Sequence, residues 1–96
     1  LGATRLINDT GAIVLDVRSP ADFSGGHLPN ARNIPMAELE KRLGELPADK
    51  PVLLCCASGV TSNRAAGILR KAGRKDVFNL GGGVQSWRQA GLPVVK

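Results

Sequence analysis

Aromatic side chains are nearly missing from this chain: Phe23, Phe78 and Trp87 are the whole set, with no tyrosine. Its core must therefore be built mostly from Leu, Ile, Val and Ala. Long apolar runs are missing too. No stretch approaches the roughly 18 residues that a membrane-spanning helix needs, and nothing has the layout of a signal peptide. Cysteine occurs twice, and only as the neighbours Cys55 and Cys56. Bridging sequence neighbours strains the backbone, and the spaced pairs of a zinc site are absent. Reduced thiols, no metal and no cofactor are expected, and reduced thiols point to the cytoplasm. The chain starts at Leu1 and its single methionine is Met36. It reads as a piece excised from a longer precursor, and a removed N-terminal anchor or targeting segment is compatible with that start.

What is present fits one small domain spanning residues 1–96. The hydrophobic fraction of 43% and charged fraction of 22% are ordinary for a globular protein. The net charge of +5 raises the question of nucleic acid, but most of the bases are scattered. One denser group (Arg64, Arg70, Lys71, Arg74, Lys75) lies on or just after the helix that follows the cysteines. With so few aromatics between these bases, a solvated face is the better reading. Such a field still attracts small anions. Neither nucleic acid nor direct membrane contact is expected.

Helical residues are expected over Ala3 to Ile7. The run Ala12 to Asp16 predicts a strand buried on both faces. Ser19-Pro20 looks like an N-cap and first helical residue for a turn through Phe23. A brief strand is expected over Ala31 to Ile34. Pro35 starts a helix with Met36, Leu39 and Leu43 inward. Val52 to Cys55 predicts a second buried strand. A helix follows over Ser62 to Ala72, with Ile68, Leu69 and Ala72 inward and Gly73 ending it. Asp76 to Leu80 predicts another strand, Gly81-Gly82-Gly83 a turn, and Val84 to Ala90 a last helix. Alternating strands and helices imply an α/β domain on a mostly parallel sheet. The cysteines then sit at the carboxyl end of a strand, where such sheets place ligand sites.

A sulfur at a helix N-terminus meets free backbone N–H groups and the positive end of the macrodipole, which favour thiolate over thiol. Cys55 continues the apolar run and reads as a buried small hydrophobe; Cys56 is the candidate nucleophile. Ala57, Ser58, Gly59, Val60 and Thr61 are small or short enough to curl around its sulfur as an anion nest. Thr61 or Ser62 could cap the following helix. Strand alternation sends the two sulfurs to opposite faces. Asp16 and Arg18, after a buried strand, are candidates for a supporting role, with an ion pair that organises nearby loops as the plainer reading.

These segments resemble a single-domain rhodanese over nearly the whole chain. Asp16-Val17-Arg18 with Asp22-Phe23 is similar to the family's opening motif, and Gly26-His27-Leu28-Pro29-Asn30-Ala31-Arg32-Asn33-Ile34-Pro35 to its most specific signature. Cys56-Ala57-Ser58-Gly59 with Ser62, Ala65 and Ala66 resembles the active-site loop and helix. Asn79-Leu80-Gly81-Gly82-Gly83-Val84, Trp87 and Gly91-Leu92-Pro93 resemble the closing motif. The resemblance implies a three-layer α/β domain whose central, mostly parallel sheet has about five short strands flanked by helices. It also implies a sulfurtransferase. Cys56 takes a sulfane sulfur from a small anionic donor such as thiosulfate and yields it to cyanide, a cellular thiol or a protein acceptor. The loop from Cys56 to Thr61 binds substrate through its N–H groups.

Thr61 departs from the arginine common at the loop's end, and Arg64 is the candidate to replace that charge in part. This departure keeps open a low-turnover persulfide carrier or regulatory interaction module. A phosphatase or arsenate reductase is disfavoured, because no arginine closes the loop. His27 reads as a structural hydrogen-bonding residue. Gly81-Gly82-Gly83 lacks the lysine of a P-loop and reads as a tight turn giving room to the loop. Trp87 reads as core or pocket wall.

Overall fold

A computed structural model describes residues 7–47, 49–57 and 60–96, with the Val60 side chain left out. Most of the helix expected over Ala3 to Ile7 lies outside these; residues 7–10 are helical. Strands β1 (Ile13–Asp16), β2 (Arg32–Asn33), β3 (Val52–Cys55) and β4 (Val77–Asn79) form one sheet in the order β2-β1-β3-β4. Every pairing is parallel. The register sets Asp16 beside Cys55 and Leu54 beside Asn79, so the strands' carboxyl ends align.

Among the described residues the sheet has four strands, where about five were expected. Among the described residues, the other extended contact is an antiparallel bridge between His27 and Val95. Its growth is blocked on one side by Gly26, whose φ is +141°, and on the other by Pro93, which has no N–H to donate.

Side-chain alternation splits the core into two layers. On one face Leu15, Val17, Val52, Leu54 and Cys56 pack with Leu39, Ala65, Ala66 and Leu69. On the other, Val14, Leu53 and Cys55 pack with Leu28, Leu80, Val84 and Trp87. Helix α1 (Pro20–Ser24) begins as its sequence predicts: the Ser19 hydroxyl accepts the Asp22 N–H at 3.2 Å.

The helix expected from Pro35 is instead two 3₁₀ segments, Met36–Lys41 and Leu43–Glu45. Two apolar spacings are compatible with this. Met36 to Leu39 and Leu43 to Leu46 are each three apart, the repeat of a 3₁₀ turn. The bonds follow suit, with Arg42 N–H donating to Leu39 C=O and Leu46 N–H to Leu43 C=O.

Helix α2 (Val60–Lys71) starts earlier than expected. Its inward stripe is Ser62, Ala65, Ala66 and Leu69, the i, i+3, i+4, i+7 repeat of one helical face; Ile68, expected inward, is half-buried at the edge of the same layer. Gly73 ends it at φ +99°; the Gly73 N–H donates to Arg70 C=O and the Arg74 N–H to Leu69 C=O, a Schellman cap. Ala72, expected inward, is exposed, because the helical path ends one residue before it. Helix α3 (Gly83–Gln89) follows the glycine turn and buries Val84 and Trp87. Strand β3 has the bounds expected, and the other element boundaries move by one residue.

Candidate active site

Strand β3 runs into Cys56, and the chain then turns into α2. Cys55 is fully buried and its thiol donates to Leu15 C=O at 3.7 Å. Burial first, then the negative charge of Asp16, push the Cys55 thiol up to about 12. A thiol in that state is inert near neutral pH.

Cys56 faces the opposite layer and is 3% exposed. The Ser62 N–H donates to the Cys56 sulfur at 3.3 Å, and the Cys56 thiol donates to the Ser62 hydroxyl oxygen at 3.4 Å. Ser62 is the third residue of α2, so its N–H is one that no preceding turn of the helix can satisfy. The sulfur takes the place a capping side chain would hold. The Ser62 hydroxyl donates to Asn79 Oδ1 at the end of β4, and Asn79 Nδ2 donates to Asn63 Oδ1 at 2.9 Å. Neither Thr61 nor Ser62 is therefore the helix cap: both lie within its first turn.

A second anchor holds the loop from behind. The Val84 N–H donates to Cys56 C=O at 2.8 Å and the Gln85 N–H to Ala57 C=O at 3.1 Å. These N–H groups belong to the first turn of α3, which has no internal acceptor for them. The close approach requires glycine: at Gly83, φ is +63° and a Cβ would sit 2.7 Å from the Ala57 carbonyl carbon and oxygen. The glycine turn makes room for the loop, as its sequence suggests. With the Cys56 and Ala57 carbonyls turned to α3, the sulfur is left to the α2 side.

The other candidates take separate places. Arg18 holds Asp16 through Nε and Nη2, at 2.7 Å for the closest pair, and donates from Nη2 to Gly26 C=O. The Asp16 hydrogen bond raises the Arg18 pKa further. Asn33 ties the Asp16 and Arg18 carbonyls from below. This buried pair lies on the Cys55 side of the sheet and organises the Gly26 loop. Thr61 and Ala57 are exposed, while Ser58 and Gly59 lie outside the described residues. Arg64 is exposed and lines a hollow together with Glu40, Gly67, Ile68 and Lys71. Two residues beyond Ser62, it points about 200° around the helix from it. His27 stacks on Phe23 with ring centroids 3.7 Å apart, and its Nδ1 bonds Phe23 C=O; its role here is structural. Trp87 is core, its Nε1–H donating to Pro93 C=O at 2.7 Å. Asn79, which the sequence places only in the closing motif, joins the site through Ser62. A polar side chain ending an otherwise apolar strand, one strand away from the cysteine, was the available signal.

The family model for the rhodanese-like domain matches residues 3–90, so the chain belongs to the rhodanese-like domain family, which includes sulfurtransferases. Among individual proteins, it is 49% identical over 76 residues to the uncharacterized protein YqhL of Bacillus subtilis, covering 79% of this chain and 60% of that protein. It is 36% identical over 91 residues to a sulfurtransferase of Allochromatium vinosum, covering 95% of this chain and 85% of that one. The crystal structure of a rhodanese-related protein from Thermoplasma volcanium superposes with a TM-score of 0.87 at 36% identity, over 97% of this chain and 92% of that one.

Proposed function

We propose that the domain moves a sulfane sulfur from a donor such as thiosulfate to a thiophilic acceptor through a persulfide on Cys56. The observation that carries this is the Ser62 peptide N–H at 3.3 Å from the Cys56 sulfur. A fixed N–H donor on sulfur favours its anion. In the first step the Cys56 thiolate attacks the outer sulfur of thiosulfate. A new S–S bond forms, the bond to the inner sulfur breaks, and sulfite leaves with the electron pair. In the second step cyanide or a thiolate attacks the terminal sulfur, and Cys56 departs as thiolate. Thiocyanate or an acceptor persulfide is the product, and no general base is needed.

The loop from Cys56 to Thr61 is proposed to bind the donor and persulfide through backbone N–H groups, with Asp16 and Arg18 supporting the neighbouring loop. One observation favours a slower persulfide carrier or interaction module: Thr61 places no cation at the loop's end, and Arg64 borders a different hollow. Thiosulfate-to-cyanide transfer, with mass spectrometry after thiosulfate alone, tests both. The enzyme reading expects one added sulfur on Cys56 and turnover, both abolished by Cys56→Ser. A stable adduct without turnover supports the carrier. No adduct, or full activity in Cys56→Ser, overturns the site.

A further inference from the structure

The outward stripe of α2 differs in kind from the stripe that meets the sheet. Arg64, Gly67, Ile68 and Lys71 repeat at i, i+3, i+4, i+7 and so share one face. They border a hollow of about 580 Å³ against Leu43 and Glu40. A second hollow, of about 680 Å³, continues past the helix end between Lys50, Lys75 and Gly44, and the two share Leu43 and Ala72 in their walls. Together they make one groove running from near the start of α2 to the opposite end of the sheet. The half-buried Leu43 and Ile68 line it.

Two features of this groove suit an occupant. Among the described residues, Arg64, Lys71, Lys75 and Lys50 form no ion pair, while the pairs present are Arg18 with Asp16 and Arg42 with Glu38 and Glu45. Four cations without an ion pair outnumber the two carboxylates, Glu40 and Asp76, in the same walls, a balance that suits an anionic occupant. The second observation is a pair of glycines. Gly44 and Gly67 both lie inside helical turns, lack a positive φ, and would meet nothing within 4 Å if given a Cβ. Glycine inside a helix costs about 0.5–1 kcal/mol relative to alanine, and neither the backbone nor the packing here demands it. A surface shaved down to the backbone lets another chain approach closely.

We propose that this groove docks an acidic, amphipathic helical segment of a partner protein. Its carboxylates meet Lys71, Lys75, Lys50 and Arg64, and its apolar side chains meet Leu43 and Ile68. Nucleic acid is disfavoured on the same surface: Glu40 and Asp76 stand in its walls and no aromatic ring is there to stack a base. The groove lies on the side of α2 turned away from Ser62, so docking and sulfur chemistry are separable.

The test is fluorescence anisotropy with a labelled Glu/Leu peptide whose leucines follow helical spacing, with duplex DNA as competitor. The peptide is expected to bind with an affinity that falls as salt rises. The double variant Lys71→Glu/Lys75→Glu is expected to weaken it at least tenfold, leaving the Cys56 alkylation rate unchanged. Gly67→Phe, which fills the groove, is expected to weaken it at an unchanged melting temperature. The proposal is overturned by absence of peptide binding, by binding that survives the charge reversal in a folded variant, or by DNA displacing the peptide at lower concentration than the unlabelled peptide does.

Discussion

At the scale of single residues, the two thiols have different surroundings. Cys55 holds its proton because burial and the Asp16 charge disfavour the anion. Between an unfolded-state pKa of about 8.5 and the folded value of about 12, the native protein keeps a proton that the unfolded chain loses. Stability therefore falls as pH rises through that window, by up to about 1.4 kcal/mol per unit. Cys55→Ala is expected to flatten this alkaline loss in urea titrations followed across that range, while Cys56 remains the residue that iodoacetamide labels at neutral pH. Ser62→Ala keeps the peptide donor but removes the hydroxyl between sulfur and Asn79. That hydroxyl accepts the thiol proton and so holds the neutral form; losing a hydrogen bond of about 1.4 kcal/mol corresponds to roughly a tenfold faster alkylation, and Ser62→Thr should reverse most of it. At Arg18, Met in its place leaves buried Asp16 unpaired, and a loss of about 3 kcal/mol in denaturant unfolding is expected. Much of this was legible in residue order: an apolar run names Cys55 as interior, and alternation sends the sulfurs apart. The Ser62–Asn79 link was not, because it depends on how far β4 slides along β3.

Among elements, the glycines of α2 and α3 separate three physical situations. Gly83 sits at positive φ against the backbone of the cysteine loop. Gly83→Ala is expected to lower the melting temperature, and to slow Cys56 alkylation by displacing the loop carbonyls from α3. Gly73 also has positive φ but open space before it, so Gly73→Ala should cost only the backbone strain, about 1 kcal/mol. Gly67 has neither constraint, and Gly67→Ala should raise stability by about 0.5–1 kcal/mol. Thermal unfolding of the three variants orders them. Helix stops and caps could be read directly, as Ser19-Pro20 and Gly73 show, because their rules are local. The segment after Pro35 could not. A three-residue apolar spacing is shared by α- and 3₁₀-turns, and the packing of Leu39 and Leu46 against the sheet decides between them.

Across the whole molecule, two apolar layers share one sheet, so neither can be lost without exposing the other. Trp87, the one tryptophan, reports from one layer and far-UV circular dichroism from all of it. Their urea transitions are expected to coincide, as two-state unfolding requires; separate midpoints would show that the layers melt independently. Fold class was readable at this scale because strand and helix patterns alternate, whereas the strand count was not, since one bridged pair near Val95 has no distinctive signature in sequence. The shape of the sheet has one more consequence. Its outermost strands are its briefest, β2 pairing through two residues and β4 through three. An intruding strand needs a longer ladder than that to take hold. Self-templated growth into fibrils therefore meets a dead end at either border.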